Sequence, residues 1–562
     1  MGPAAHVLLM SAPTPAQTHT ALHALLWRWF DRNILDLGRQ MRWSYLPPLM
    51  VYMAAGVSGL TGIVGTFFVK EYLGLSAAFL AALGFWAGLP WALKMPLGHL
   101  VDLIWRWKSW LIYLGAGLIA LSLLIMIGLI AHRDAMAAVM SVETWFVLSA
   151  LLSPVGYVIQ DVVADAMTVE AVPRVHPDGT PVSERDRKAM HVTMQTLGRV
   201  AIIGGTVLVA LANVYLFRDA TAMPEAQKVA TYARIYALAL VIPVISIGGV
   251  AVAHWVRRRE VRRLRAHGLS EEEARSLLHP HVERPRVNWW ILGGGFGFAA
   301  FSVLVGLGDF PLREEIVFLA SMSIIVFMIV KLVRELEPQA RNVLVGTAIV
   351  IFVYRAMPTT GEGSTWWMID VLGFDQQFIS VLSLISSSLT LLGMFLFRRF
   401  MADHSIAYVV GALTIAGTLL SLPTLGMYYG LHEWTAAHTG GVVDARFIAL
   451  VDTALSSPLG QIAMIPMLAW IANSAPENLK ATFFAVMASF TNLALSASQL
   501  LTKYVNEIWV VTREVRDPQT GAILVAADYS QLGELLIAVI LAGFVVPLAA
   551  IGIVKLTRFK SA

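Results

Sequence analysis

The sequence predicts an all-α integral membrane protein with about fourteen transmembrane helices, in two pseudo-symmetric six-helix bundles and an inserted two-helix hairpin. Three observations lead to this fold class. Of the 562 residues, 57% are apolar and 14% are charged, whereas soluble domains average about 25% charged residues. Apolar runs long enough to cross a bilayer recur along the chain, and a short repeat relates its two halves. The 17 Trp and 43 Gly residues fit headgroup belts and close helix contacts.

The first element is an N-terminal tail, residues 1–46, which contains an amphipathic segment at 21–43. Large apolar side chains recur there at helical spacing, and charged residues occupy the other faces. This pattern predicts a helix in the cytoplasmic interface of the membrane, although a helix packed on the protein would have the same spacing. The early apolar run 6–10 is too short for a signal peptide. The apolar stripe consists of Trp27, Phe30, Ile34, Leu37 and Met41.

Fourteen apolar stretches follow, each near the ~20 helical residues that a bilayer core requires. They predict an N-terminal bundle at 47–256, an inserted hairpin at 287–333 and a C-terminal bundle at 342–556, with a short tail at 557–562. The hairpin is expected to be peripheral, with a structural or lipid-facing role. The predicted spans are 47–69, 76–98, 109–131, 141–171, 190–216, 231–256, 287–308, 314–333, 342–360, 376–397, 404–429, 446–472, 480–504 and 533–556.

Basic residues predict the orientation. Most of the 41 Lys and Arg residues lie on one side of the membrane if the N-terminus is cytoplasmic, as the positive-inside rule requires. We therefore expect both termini in the cytoplasm and the protein in a bacterial inner (plasma) membrane. The basic cytoplasmic loop 257–286 predicts contact with anionic lipid. Nucleic acid is not an expected partner, and a monomer is expected.

A short repeat supports two homologous halves. Residues 73–80 read LGLSAAFL and residues 372–379 read LGFDQQFI, and each joins an odd span to an even one. Ser76 and Asp375 are the predicted N-caps of the helices that follow. Two six-helix halves predict a transporter whose substrate site lies between the halves near the bilayer midplane.

The end of the second span predicts a gate at the cytoplasmic mouth. Gly98 would let two helices approach closely, and Asp102 would pair with Arg106 or Lys108 in the short loop that follows. This spacing is similar to the GxxxD(R/K) loop of the major facilitator superfamily. An ordinary cytoplasmic turn is the alternative.

The fourth span concentrates acidic residues in the run Gln160-Asp161-Val-Val-Ala-Asp165-Ala-Met-Thr-Val-Glu170. Asp161 and Asp165 are four residues apart and therefore share a helix face. A carboxylate within an apolar span costs ~2.5–3.5 kcal/mol on insertion scales, so it normally faces a wet cavity or a cation. Asp161, Asp165 and Glu170 are the predicted proton-coupling residues. Asp161, the deepest of them, and Gln160 are also predicted to contact the substrate.

Three residues of neighbouring spans are candidate partners of these acids and of a substrate. Lys94 lies in the second span, and Gln195 and Arg199 lie one turn apart in the fifth. A structural ion-pair cluster that locks the cytoplasmic halves of the helices would use the same residues.

The second half has fewer ionisable residues. Arg355 precedes a proline near the outer end of its first span, where it would meet an anionic substrate or snorkel to the interface. Asp452 and Gln461 lie in the fourth span of this half and Asn492 in the fifth. Asn492 is a predicted substrate contact, although a lone Asn in an apolar helix usually bonds a neighbouring helix.

Several chemistries are excluded by what the sequence lacks. There are no cysteines, which excludes disulfides and thiolate metal sites. Neither a GxxxxGK(S/T) phosphate loop nor an HExxH motif occurs. We expect no metal, no cofactor and no enzymatic activity.

Four stretches resemble the folate–biopterin transporter family, a branch of the major facilitator superfamily. They span both halves, although Lys480 and Asn478 replace a Glu and a Gly that the family usually has. The stretches are Phe68-Val-Lys70-Glu-Tyr72-Leu-Gly-Leu-Ser76 through Leu89-Pro90-Trp91-Ala92-Leu93-Lys94 and Gly98…Asp102; Asp161-Val-Val-Ala-Asp165-Ala-Met-Thr-Val-Glu170; Leu372-Gly-Phe374 to Gly393; and Met464-Ile-Pro466-Met-Leu with Pro476…Ala481-Thr482-Phe-Phe-Ala485 and Ser489-Phe-Thr-Asn492.

The resemblance implies a secondary active transporter for a folate or pterin. A pterin presents a 2-amino-4-oxo edge that one carboxylate can accept through two hydrogen bonds, and the glutamate of folate requires Lys or Arg. Asp161 opposite Lys94 and Arg199, with Arg355 at the outer mouth, would supply both contacts, and Asp161 or Asp165 would carry the coupled proton. The alternatives are another amphipathic organic anion, a pigment precursor or a drug as cargo, or a non-transporting assembly or receptor module.

Overall fold

A computed structural model describes residues 24, 27–73, 75–92, 94–173, 175–176, 180–218, 223–278, 287, 289–308, 311–334, 337–397, 400, 404–460, 462, 480–516, 522–557 and 559. This part of the chain is almost entirely helical. The helices are α1 Asp36–Arg39, α2 Leu46–Val57, α3 Gly62–Tyr72, α4 Ala77–Ala92, α5 Lys94–Leu103, α6 Ser109–Ala131, α7 Arg133–Ala137, α8 Val142–Ala171, α9 Glu184–Leu216, α10 Glu225–Ala239, α11 Val241–Ala266, α12 Glu271–Leu278, α13 Trp289–Leu307, α14 Arg313–Val333, α15 Pro338–Arg355, α16 Glu362–Asp370, α17 Gln376–Leu396, α18 Ile406–Tyr428, α19 Leu431–His438, α20 Ala445–Ser456, α21 Lys480–Ile508 and α22 Leu532–Leu556. Strands β1 Val515–Arg516 and β2 Ile523–Val525 form an antiparallel pair between α21 and α22.

Every predicted span contains a helix at the expected place, and the protein is an integral multi-pass membrane protein. Within the described residues, ten helices are long and apolar enough to cross a bilayer. The number fourteen stays a prediction, because the predicted spans 314–333, 342–360, 446–472 and 480–504 are not among these ten. The first two spans are each built from two consecutive helical pieces, α2 with α3 and α4 with α5.

Both N-caps predicted from the repeat are present. The Ser76 Oγ accepts a hydrogen bond from the backbone N–H of Phe79 at 3.1 Å, and the Asp375 Oδ1 accepts one from Phe378 at 2.7 Å. Each side chain satisfies one of the backbone donors that a helix start leaves without a partner. The two turns of the repeat therefore begin their helices by the same local chemistry.

The two bundles pack against each other through equivalent helices. The second helix of the N-terminal half, α4, packs along α21, the fifth of the C-terminal half; conversely, α9, the fifth of the first half, packs along α17, the second of the other. This exchange of second and fifth helices is the contact pattern that a two-fold relation between the halves produces. Any substrate path between the halves is therefore flanked by α4, α9, α17 and α21.

The inserted hairpin, α13 with α14, packs on both halves near the predicted outer face. Glu314, which is 4% exposed, accepts hydrogen bonds from Trp86 of α4 at 3.1 Å and from Lys503 of α21 at 3.3 Å. The next residue, Glu315, accepts a hydrogen bond from the Tyr504 hydroxyl. The peripheral hairpin thus contributes buried charge to the seam between the halves, beyond a lipid-facing role.

Glycines let α6 and α8 approach closely, and their replacement provides a stability test. A Cβ atom on Gly115 would lie 2.6 Å from the carbonyl oxygen of Gly156, whereas a Cβ on Gly117, in the same helix, would meet nothing within 4 Å. Overpacking of this kind costs about 1–3 kcal/mol. We expect Gly115→Ala to lower the melting temperature of the purified protein in detergent and Gly117→Ala to leave it unchanged. Equal melting temperatures for the two variants would contradict this packing.

Candidate functional site

The centre of the N-terminal half contains a triad of two acids and one lysine. The Lys94 Nζ lies 2.5 Å from Asp161 Oδ2 and 2.7 Å from Asp165 Oδ2. The Tyr52 hydroxyl donates a 2.6 Å hydrogen bond to Asp165 Oδ1. Lys94 begins α5, at the join between the two pieces of the second span, while the acids lie one turn apart on α8. The spacing of Asp161 and Asp165 thus places both carboxylates on one ammonium, as a shared face predicts.

The triad carries a net charge of −1 when both acids are ionised. Side-chain exposures are 19% for Lys94, 18% for Asp161 and 45% for Asp165. One carboxylate therefore remains accessible while the other is largely enclosed. Since an ammonium balances only one of the two acids, binding of one proton would neutralise the site. The triad therefore combines one partly exposed and one largely enclosed carboxylate on a shared ammonium.

Two arginines from opposite halves extend this charged region. Arg199 of α9 interacts electrostatically with Asp161 and Tyr52 in its own half. It also interacts with Arg355 at the end of α15, in the other half. These two guanidinium groups, one from each half, carry like charges and repel each other.

Three predicted ligand contacts make hydrogen bonds within the protein. Gln160 is 2% exposed; its amide donates to the Ile112 carbonyl at 3.2 Å and accepts from the Ser246 hydroxyl at 3.0 Å. The Gln160 contacts therefore join three helices of the N-terminal bundle. Asn492 donates to the Trp91 carbonyl at 3.4 Å and joins α21 to α4, the helix-bonding alternative raised from the sequence. Gln195 is exposed and donates to Thr168 at 3.4 Å.

The predicted cytoplasmic gate contains a different ion pair from the one expected. Lys108 pairs with Glu170 at 2.7 Å across the ends of two helices, and burial lowers the pKa of Lys108 while the Glu170 carboxylate opposes that shift. The basic side chain that interacts electrostatically with Asp102 is His99, one turn earlier on the same helix, rather than the predicted Arg106 or Lys108. Within the described residues, a Cβ on Gly98 would meet nothing within 4 Å, so the close helix contact predicted at this glycine is not seen there. Arg106 is exposed in the short turn that follows.

A cavity of 710 Å³ lies within the C-terminal half, among α15, α18, α20 and α22. Arg355 and Asp452 both line it. The Asp452 Oδ1 is buried and has no hydrogen-bond partner in the described part of the chain. Gln461 lies outside the described residues. Across the described residues, no group of three or more His, Asp or Glu side chains could hold a metal ion.

The predicted outer ends of the two halves are joined by a polar network, called here the outer seal, of Lys70, Asp370, Arg513 and Tyr529. Lys70 of the first half lies 2.5 Å from Asp370 of the second, and the Tyr529 hydroxyl donates to Asp370 at 2.5 Å. Arg513 donates to the backbone carbonyls of Lys70 at 2.8 Å and Leu75 at 2.9 Å. These contacts tie the connection between the first two spans to two connections of the other half.

Sequence reasoning did not identify the outer seal or Tyr52. Lys70 was noticed only as part of a family-like stretch, and the other three residues of the seal lie at helix ends or in loops. Tyr52 gives no signal because a tyrosine in an apolar span is usual. The sequence signal that points toward the outer seal is a charged residue in a predicted outer connection, such as Asp370 beside the repeat.

Comparisons with known proteins agree with this architecture. The sequence profile of the BT1 family matches residues 55–558. A folate-biopterin transporter of Synechocystis sp. is 24% identical over 511 residues, which are 90% of this chain and 82% of that protein. A crystal structure of a POT family transporter with a thioalcohol-conjugated peptide has a TM-score of 0.55 at 12% identity, covering 92% of this chain and 96% of that chain. Peptide transporter POT in complex with sulfate has a TM-score of 0.55 at 15% identity, covering 91% and 94%. The structural likeness confirms the predicted major facilitator fold.

Proposed function

The chain belongs to the BT1 family, and from this membership we propose that it is a proton-coupled secondary transporter for a pterin- or folate-like organic solute. Membership in a transporter family also agrees with the expectation that the protein is not an enzyme. The proposed mechanism is alternating access, in which the two bundles rock about a site between them. The Lys94–Asp161–Asp165 triad is the observation that carries the coupling part of the proposal.

The triad supports proton coupling by its charge balance. One ammonium faces two carboxylates, so the three residues of the triad alternate between a summed charge of −1 and 0 when a single proton binds and leaves. Enclosing the site away from water while the bundles rock costs less when the site is neutral than when it is charged. Tyr52 holds the Asp165 carboxylate in place through its hydroxyl. Protonation of Asp165, the more exposed acid, would release Lys94 toward Asp161.

The two arginines support an anionic cargo. Arg199 and Arg355 come from different halves and interact across the seam. A carboxylate bound between them would draw the halves together, which couples substrate binding to closure. Folate offers such a carboxylate, as do other amphipathic organic anions.

The outer seal supports a conformation that is closed on the predicted outer side.

We further propose cytoplasmic termini, a bacterial inner membrane, a monomeric transporter and contact of the basic loop 257–286 with anionic lipid. The proposed division is the tail 1–46, the bundle 47–256, the loop 257–286, the hairpin 287–333, the bundle 342–556 and the tail 557–562.

Uptake into proteoliposomes tests this function. We expect accumulation of radiolabelled folate or biopterin when the outside is more acidic than the inside, and much slower equilibration without the pH gradient. Empty liposomes are the first control, and an excess of an unrelated organic anion tests selectivity. If unrelated anions compete as well as unlabelled folate or biopterin, the protein is a broad organic-anion carrier. If neither folate, biopterin nor an unrelated organic anion is taken up, the transport function is contradicted.

A further inference from the structure

We propose that Asp452 is a substrate-recognition residue in the C-terminal half, which accepts the paired N–H donors of an amino-oxo-pyrimidine ring while Arg355 binds an anionic group of the same solute. This inference rests on the proposed function and names the site of its substrate. Sequence reasoning had assigned the ring contact to Asp161. The structure points instead to a carboxylate in another half of the molecule.

The first argument is that the three predicted proton-coupling acids of the N-terminal half already have basic partners, whereas none is resolved for Asp452 among the described residues. Asp161 and Asp165 share Lys94, and Glu170 pairs with Lys108. A carboxylate that already accepts from an ammonium has fewer lone pairs left for the paired N–H donors of a ligand. Asp452 differs, because no charged side chain of the described residues is resolved as interacting with it and its buried Oδ1 accepts no hydrogen bond. A buried acceptor without a donor costs about 1–3 kcal/mol, and more when charged.

The second argument is the space in front of Asp452. The 710 Å³ cavity that it lines falls within the size range of small-molecule sites. Most of its wall is apolar, from α15, α18 and α22, and suits the faces of an aromatic ring. A few polar groups converge on it, which is the usual composition of a site that fixes a ligand's orientation. These groups include Arg355, Asp452, Thr360, Ser421, Thr424 and Ser456.

The third argument is the pairing of opposite charges in one cavity. A carboxylate on one wall and a guanidinium on another select a solute that carries a donor edge and an anionic group together. The 2-amino-4-oxo edge of a pterin donates two parallel N–H bonds, the geometry that a carboxylate accepts. The carboxylate of folate matches Arg355. Arg355 also interacts with Arg199, so the occupied cavity would communicate with the other half.

Discrimination between two pteridines tests Asp452 directly. Pterin carries the 2-amino group, and its 2,4-dioxo analogue lumazine lacks that donor. We expect the wild-type protein to bind pterin at least about tenfold more tightly than lumazine, because the analogue leaves a carboxylate lone pair without a donor. Asp452→Asn should lose most of this preference for pterin over lumazine, and Asp452→Glu should keep part of it. Binding is measured by scintillation proximity in detergent with radiolabelled pterin and competing ligand.

A second variant keeps the proposal testable if Asp452→Asn does not fold. Gly417 lines the cavity, and a Cβ built on it meets nothing within 4 Å. Gly417→Leu should therefore fill the cavity without disturbing the helix packing and should weaken pterin binding at least about tenfold. The matched control is Gly543→Leu, also in open space but outside the residues that line the cavity.

The outcomes separate this inference from the proposed function. If the wild-type protein transports pterins but Asp452→Asn and Gly417→Leu bind pterin and lumazine as the wild type does, the ring is recognised elsewhere and the inference is wrong. If the wild-type protein binds no pteridine and transports none, the proposed substrate class itself fails.

Discussion

Replacing Lys94 with methionine is expected to abolish uptake and to lower the melting temperature of the purified protein. Lys94 is the shared counter-ion of Asp161 and Asp165, so its loss leaves two carboxylates one helical turn apart. Removing one partner of a buried ion pair costs about 3–5 kcal/mol. The 45% exposure of Asp165 places the effect toward the lower end of that range. Uptake in proteoliposomes and melting in detergent measure the two effects.

A double variant separates the functional role of the triad from a structural one. Lys94→Met with Asp161→Asn removes one positive and one negative charge, so stability should largely recover while proton-driven uptake stays absent. Recovery of both properties would assign the triad to structure alone. The single variant Asp161→Asn should lose gradient-driven accumulation yet remain folded. The control is Asp31→Asn, whose ion pair with Arg39 is exposed on both sides and is expected to contribute about 1 kcal/mol or less.

Replacing Arg513 with alanine is expected to open the outer seal. The guanidinium donates to two carbonyls of the first half and stacks over the Trp366 ring, with 4.5 Å between Cζ and the ring centroid. Burial lowers the pKa of Arg513 to about 10, and nearby Tyr529, Asp370 and Glu362 oppose that shift, so the group is charged at neutral pH. Hydrogen bonds to charged groups contribute about 1.5–3 kcal/mol. Their loss should raise the population of the outward-open state at least about tenfold.

Cysteine labelling measures this opening on a clean background, because the sequence contains no cysteine. Ser380 lies on α17 one turn beyond Gln376, is fully buried, and is replaced conservatively by Ser380→Cys. Labelling by a membrane-impermeant maleimide added from outside should be slow in that protein and at least about tenfold faster after Arg513→Ala. Arg446→Ala removes an exposed arginine on the same side and should change nothing. Equal labelling rates in all three proteins would show that Arg513 does not close this side.

Periodicity and hydropathy predicted the elements that depend on local sequence. Spans, the N-caps of Ser76 and Asp375, and the shared face of Asp161 and Asp165 follow from residues at most a few turns apart. The interfacial position of the N-terminal stripe stays a prediction; Leu37 packs on the core while Trp27 is exposed. Gly98 shows the limit of such reasoning, since small size permits a close contact but does not supply the neighbouring helix.

The sequence can suggest candidate contact partners that are distant in the chain, but it does not show which of them make contact. Lys94 and Arg199 are equal candidates for the acids from the sequence, and the packing of α5 against α8 brings Lys94 into direct contact with both acids. From the sequence, Gln160 and Asp161 are equally good candidates for a ligand contact. Because successive residues of a helix point in different directions, Gln160 faces Ile112 and Ser246 instead. A helix face is defined by sequence, whereas what lies opposite that face depends on how whole helices pack.

The amino-acid sequence by itself determined a membrane-embedded helical chain of two related halves, because bilayer insertion and helix capping depend on short stretches. The tertiary structure alone decided which charges meet. Lys94 and Asp161 are 67 residues apart, and Arg513 and Lys70 are 443 apart. Their contacts arise from packing between helices and between halves, and that packing depends on the sum of many weak side-chain contacts rather than on any local pattern.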